Sequence, residues 1–153
     1  PEIQEYMEFE DELAIGTGQA HLWSLVSDPE VLVECVPGAK EVERINDREY
    51  RGVIERGVAG ITMTLDGEVE MTELEEPHRL EAVGRGEDNR SNSRMEAEMS
   101  MELTENGEST TIAYYIDMDF TGRLASLGAR IVKRKINSDI GTFFDNLKER
   151  AEE

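Results

Sequence analysis

An α+β fold, a curved antiparallel β-sheet wrapped around a long C-terminal α-helix, is predicted by three features of the sequence. Apolar and polar residues alternate with period two through most of the middle of the chain. Two short helical patterns stand between the first strand and the rest. The last thirty residues repeat apolar side chains at three- and four-residue steps. The resulting order is β-α-α-β-β-β-β-β-β-α. Strands with one apolar face must bury it, and the last helix carries the stripe that can cover it. With 153 residues the chain makes one domain, residues 1–153. A sheet gripping a helix can hold a hydrophobic cavity between the two, so binding of an apolar ligand is expected.

The first strand is read over Tyr6 to Ile15, with Met7 and Phe9 on one face and Glu8, Glu10 and Glu12 on the other. Gly16-Thr17-Gly18 ends it, and Thr17 is the expected N-cap of a helix whose stripe is Leu22, Trp23, Leu25 and Val26. Asp28-Pro29 stops that helix and opens a second one through Cys35, with Asp28 as cap. Clean alternation follows: Ile61, Met63, Leu65, Val69, Met71; Met95, Ala97, Met99, Met101, Leu103; Ile112, Tyr114, Ile116, Met118, Phe120. Turns are expected at Asn46-Asp47, Val58-Ala59-Gly60, Glu76-Pro77, Asp88 to Asn92 and Asn106-Gly107, the last as a type I′ hairpin. From Gly122 on, Leu124, Leu127, Ile131, Ile136, Ile140, Phe143, Phe144 and Leu147 define a single helix of about 28 residues, about 42 Å long.

Composition excludes several functions. Thirty-five acidic residues face 16 basic ones, a net charge of −19, which repels nucleic acid and disfavours anionic lipid. Only four of the basic residues are Lys. Dense carboxylates with scarce Lys fit a halophilic cytoplasm, where molar salt shortens the Debye length to about 3 Å. One cysteine, Cys35, rules out an intramolecular disulfide and points to a reducing compartment. No apolar run approaches the roughly 20 residues that span a bilayer, and no signal peptide is visible. The expected location is cytoplasmic, with transient contact at the inner membrane face.

The seven methionines sit on apolar strand faces, where Met serves either as core filling or as a deformable binding wall. Trp23 reads more readily as core than as ligand contact. His21 and His78 do not converge with other ligand-type residues, so no metal site is expected. Cys35 has no activating partner nearby in sequence and reads as a buried thiol. Asp117 and Asp119 share the expected wet face and are not read as acid and base. Gly57-Val58-Ala59-Gly60 and Gly84-Arg85-Gly86 lack the strand-to-helix setting of a phosphate loop. Arg130, Lys133, Arg134 and Lys135 form a basic cluster on the last helix, either a solvated face or a patch for a partner subunit or lipid head groups.

Several segments, in order, resemble the family of the CoxG subunit of carbon monoxide dehydrogenase, within the START-like, helix-grip (SRPBCC) superfamily. They are the Trp23 helix ending in Ser27-Asp28-Pro29, then Cys35-Val36-Pro37-Gly38, Glu49-Tyr50-Arg51-Gly52 and Leu65-Asp66-Gly67-Glu68-Val69. Glu75-Glu76-Pro77-His78-Arg79-Leu80 and Gly122-Arg123-Leu124-Ala125-Ser126-Leu127-Gly128 complete the set. The resemblance runs from about Phe9 to Leu147. It implies a hydrophobic cavity and association with molybdenum-containing carbon monoxide dehydrogenases, with roles in membrane recruitment and electron transfer to quinone. Two departures stand out. Ala39 occupies the place of a second Cys found in many relatives, and the chain stops at Glu153 without the C-terminal anchoring segment of longer ones.

With that resemblance, the expected cavity wall is Trp23, Tyr50, Ile54, Met63, Leu65, Met71, Leu80, Met99, Met101, Tyr114, Ile116 and Met118. Leu124, Leu127, Gly128, Ile131 and Ile140 are expected to close it from the helix, with Gly128 allowing close approach. The expected function is non-enzymatic: binding a hydrophobic small molecule, such as a quinone or isoprenoid lipid, as accessory to molybdenum dehydrogenase subunits. No catalytic residue, metal or nucleic-acid partner is expected, and no cofactor beyond such a bound ligand. Two rivals stay open. A polyketide cyclase or dehydratase on the same fold would need an acid or base in the pocket, where the sequence offers Tyr50 and Tyr114. A ligand-free assembly module would fill the cavity with side chains.

Overall fold

The computed structural model describes residues 3–153. β1 (Gln4–Ile15) leads to α1 (Gln19–Val26) and α2 (Pro29–Cys35). A meander follows: β2 (Ala39–Asn46), β3 (Glu49–Val58), β4 (Ile61–Glu75), β5 (Arg79–Asp88), β6 (Ser93–Asn106) and β7 (Ser109–Gly122). α3 (Arg123–Ser126) and α4 (Ala129–Ala151) end the chain. The seven strands form one sheet in the order β1-β7-β6-β5-β4-β3-β2, every neighbouring pair antiparallel. Hairpins make each sequential pair, and β1 closes the far edge by pairing with β7 along its whole length.

Alternation fixes which face is inside. Met7 and Phe9 are buried on β1, as are Met63, Leu65 and Met71 on β4 and Ile112, Ile116 and Phe120 on β7. A one-residue slip would turn each of these sets to solvent, so the pattern specifies the register strongly. Curvature has its own device. Gly52, Gly67 and Gly86 lie directly opposite one another on β3, β4 and β5, on the inward face. A Cβ on Gly67 would come within 3.0 Å of the Arg85 carbonyl oxygen. The bare stripe lets neighbouring backbones close up and the sheet bend.

α4 presents Val132, Ile140, Phe144, Leu147 and Ala151 to the core, at helical spacing. Its C-terminal half is tied down at several points. Asn146 Nδ2 donates to the Cys35 carbonyl at 3.0 Å, and Arg150 pairs with Glu34 of α2. The backbone N–H of Gly16, just after β1, donates to Glu152 Oε2 at 2.7 Å.

Three details differ from the sequence reading. The C-terminal helix is two helices, broken where Gly128 takes φ +102°. Gly128 therefore terminates a turn and opens α4; it is exposed, and a Cβ there would meet nothing within 4 Å. Thr17 does not cap α1. Gly18 holds that position without a side-chain cap, and the Thr17 carbonyl instead accepts the buried Thr110 hydroxyl at 2.8 Å. The β6–β7 turn centres on Gly107-Glu108, because Asn106 already pairs with Ser109. Gly107 alone takes positive φ there, as a type II′ turn requires, whereas Ala59 and Gly60 both take positive φ and supply the type I′ geometry between β3 and β4.

The cap of α2 is as expected: the Asp28 carboxylate accepts the Glu30 backbone N–H at 3.0 Å, and Pro29 opens the helix. Asp28→Ala should cost about 0.5–2 kcal/mol, read as a lower urea midpoint with an unchanged slope. A cost near zero would mean that α2 is held by packing alone.

Candidate functional site

The concave face of the sheet is built by cross-strand rows. Met71, Ala82, Met99, Ile116 and Phe9 are successive partners across β4, β5, β6, β7 and β1. Leu80, Met101 and Tyr114 form the next row, and Val69, Gly84, Ala97, Met118 and Met7 the one on the other side. On β3, Tyr50 opposes Val69, Ile54 opposes Leu65, and Arg56 opposes Met63. The strand residues expected to line a cavity thus share this one face.

They divide by exposure. Trp23, Tyr50, Met63, Leu65, Met71, Leu80, Met101, Ile116 and Leu124 are buried. Ile54, Met99, Tyr114, Met118 and Leu127 are half-buried, together with Ile61, Val69, Met95 and Ile136. So the helices cover the concave face incompletely, and the uncovered part is largely apolar, with Asp11 and Arg56 as charged exceptions. Gly128 and Ile131 are not part of the covered face; Ile131 is 47% exposed.

Polar groups on this face are few. The Tyr50 hydroxyl donates to Glu30 Oε2 of α2 at 3.0 Å, and burial together with that carboxylate raises its pKa. Tyr114 stacks on Phe144 of α4 with ring centroids 4.4 Å apart, and burial, with Asp11 opposite it, raises its pKa. Both phenols therefore stay protonated at neutral pH. Arg56 reaches from β3 to α4, where its Nε and Nη2 donate to Asp139 at 3.1 and 2.5 Å. Lys135, one turn earlier on α4, stands 3.7 Å from the same carboxylate. This trio is a charged link between sheet and helix, and the sequence reading did not single it out.

The opposite face of the sheet is charged. Glu43, Arg51, Glu68, Arg85, Glu96 and Asp119 follow one another across six strands. Two open clefts of about 430 and 390 Å³ lie along this ladder, and none of the residues expected to bind ligand lines either. Asp117, beside the second cleft, has its pKa raised by partial burial and by Glu98, Asp119 and Glu8. Cys35 is buried, and burial raises its thiol pKa. His21 and His78 are exposed, and no group of three metal-ligand side chains converges among the described residues. Of the basic cluster, Arg130, Lys133 and Arg134 are exposed, whereas Lys135 is half-buried against Asp139.

Residues 12–152 match the family model of CoxG, a subunit of carbon monoxide dehydrogenase. The chain belongs to this family. Solved structures agree on the fold. A conserved protein from Geobacillus kaustophilus superposes with TM-score 0.86 at 23% identity, covering 95% of each chain. An uncharacterized protein from Rhizobium leguminosarum gives 0.72 at 13% identity, covering 99% of this chain and 98% of its own. The ZhuI aromatase/cyclase from Streptomyces gives 0.65 at 12% identity, covering 97% and 94%. No curated relative matches the sequence. The CoxG assignment and these likenesses bear out the START-like, helix-grip fold.

Proposed function

We propose that this CoxG-family protein binds an elongated apolar molecule, a quinone or another isoprenoid lipid, against the concave face beneath α4. The observation that supports this most is the half-buried apolar surface of Ile54, Val69, Met95, Met99, Met118 and Leu127 inside a helix-grip fold. Four of its neighbours on that face, Met63, Met71, Met101 and Leu80, are deeply buried, so the uncovered patch continues the core. Met side chains there can re-pack around a guest. Covering the patch with an isoprenoid chain gains about 25 cal/mol per Å² of apolar area.

The partner we propose is a molybdenum-containing carbon monoxide dehydrogenase, a reading supported by membership of the CoxG family. In our reading it is a non-enzymatic carrier for that enzyme in a salt-rich cytoplasm, moving the ligand between bilayer and enzyme. No helix among the described residues is long and apolar enough to cross a membrane. A cyclase reading gains little from the concave face, whose Tyr50 is engaged by Glu30 and whose Tyr114 is stacked on Phe144. The direct test is organic extraction of protein purified from its native host at native salt, followed by mass spectrometry. A stoichiometric isoprenoid quinone is the expected result. An extract free of lipid-like compounds would leave the assembly-module reading, with docking through Arg130, Lys133, Arg134 and Lys135.

A further inference from the structure

On the concave side of β3, an arginine stands where the strand pattern calls for an apolar residue. Ile54, Arg56 and Val58 share that face, and Arg56 lies directly opposite Met63, which is 1% exposed. A cation in such a place needs a partner, and Asp139 of α4 supplies it through both carboxylate oxygens. The pair is side-on: Nε and Nη2 are used. A guanidinium has five N–H donors. Among the described residues nothing accepts from Nη1, although the arginine side chain is only 27% exposed. Asp139 is itself 19% exposed and also faces Lys135, so the local sum of Arg56, Lys135 and Asp139 is one positive charge. That sign runs against a chain of net charge −19.

A stability role alone would call for a neutral, fully used pair, since a half-buried ion pair adds little over apolar packing. The arrangement instead fixes the plane of the guanidinium with one edge and leaves the other edge to donate. Ile54, two residues before Arg56 on β3, and Ile136, three residues before Asp139 on α4, are half-buried. We infer that Arg56 is the polar anchor of the concave site: Nη1 donates to an acceptor oxygen, carbonyl or carboxylate, on the head of an otherwise apolar ligand. Asp139 is the positioning residue that aims it. This rests on the carrier reading above and adds to it a ligand class and an orientation. The head lies at the β3–α4 side and the chain runs along the methionine rows. It requires no proton transfer and no covalent step.

The test compares three probes on the full chain at about 2 M KCl, where surface charges are screened. They are a decyl-substituted benzoquinone, dodecanoate and decylbenzene, which lacks an acceptor oxygen. Arg56→Met should weaken the quinone or the carboxylate at least about tenfold, as expected for a lost charge-assisted hydrogen bond. Decylbenzene should change less than about twofold. Loss for the quinone alone identifies a carbonyl head, and loss for dodecanoate alone a carboxylate head; either supports the anchor. Equal weakening of all three probes, or none, overturns it while leaving the carrier reading intact. Wild-type protein that binds none of the three overturns both. If Arg56→Met does not fold, Arg56→Lys retains a cation opposite Asp139 but lacks the second edge, and must show the same selectivity at smaller size. Unchanged binding of every probe by that variant also overturns the proposal.

Discussion

Gly122→Ala is expected to cost about 3 kcal/mol or more, read as a large drop in the urea midpoint. Gly122 ends β7 with φ +80° and ψ −149°, a region open to glycine and closed to side chains. Even a relaxed backbone would not solve the second problem. A Cβ here would sit 1.6 Å from the Asn92 carbonyl oxygen and 2.7 Å from its carbon. Asn92 cannot withdraw easily, since it takes φ +52° in the β5–β6 turn. Ser93, next to it, faces Gly122 across β6 and β7 and accepts the Leu124 backbone N–H at 3.0 Å through Oγ. The Gly122 N–H itself donates to the Ile3 carbonyl at 3.2 Å. Three segments thus meet at one residue without a side chain. Gly57→Ala is the matched control. A Cβ there meets nothing within 4 Å and no positive φ is required, so its stability should stay within about 0.5 kcal/mol of wild type. Urea unfolding of both variants decides the matter, and equal midpoints would refute the steric account.

How far the sequence revealed this architecture depends on how many signals agreed at each place. The strands were legible because each has one wet face: Glu96, Glu98 and Glu102 alternate with Met95, Met99 and Met101 without interruption. The second helix was legible because Asp28 and Pro29 give start signals of two independent kinds. The break at Gly128 was hidden, because Leu124, Leu127 and Ile131 continue a helical spacing straight through it. One positive φ rotates the helix beyond it, and Ile131 ends on the exposed side. The Asn106-Gly107 pair misled because its geometry depends on register: with Asn106 paired to Ser109, the turn moves on by one residue. At the site, alternation placed Met63 and Met99 on the same face but could not tell that the first is sealed and the second half-open. Arg56 had a signal that went unread, a charge at an inward position between Ile54 and Val58. Its partner Asp139 lies 83 positions away, and no local pattern connects the two.

Salt should change the stability of this protein more than any single surface substitution. Its outer sheet face sets like charges directly opposite one another at six places: Glu49 and Glu70, Asp66 and Glu87, Glu73 and Glu81, Glu98 and Asp117, Asp117 and Glu8, Glu96 and Asp119. Directly opposed like charges destabilise a sheet by about 0.2–1 kcal/mol each, together about 1–6 kcal/mol at low ionic strength. Screening relieves this, so Tm should rise by about 3–10 °C between about 0.1 and 2 M KCl. Asp117 lies at the centre of the array, and its pKa is raised above the ordinary 3.8 by partial burial, then by Glu98, Asp119 and Glu8. A carboxyl group with a raised folded-state pKa binds its proton more tightly in the fold than in the open chain. Its ionisation therefore weakens the fold, and stability falls as pH rises from the unfolded value through the raised one. Above that window the full penalty is present. Asp117→Asn should consequently raise Tm at neutral pH, and the gain should shrink in molar salt and vanish below about pH 3. A gain that persists undiminished at high salt would point to packing rather than charge. A Tm indifferent to salt would mean that the ladder of Arg51, Glu68, Arg85 and Glu96 already compensates the repulsion around it.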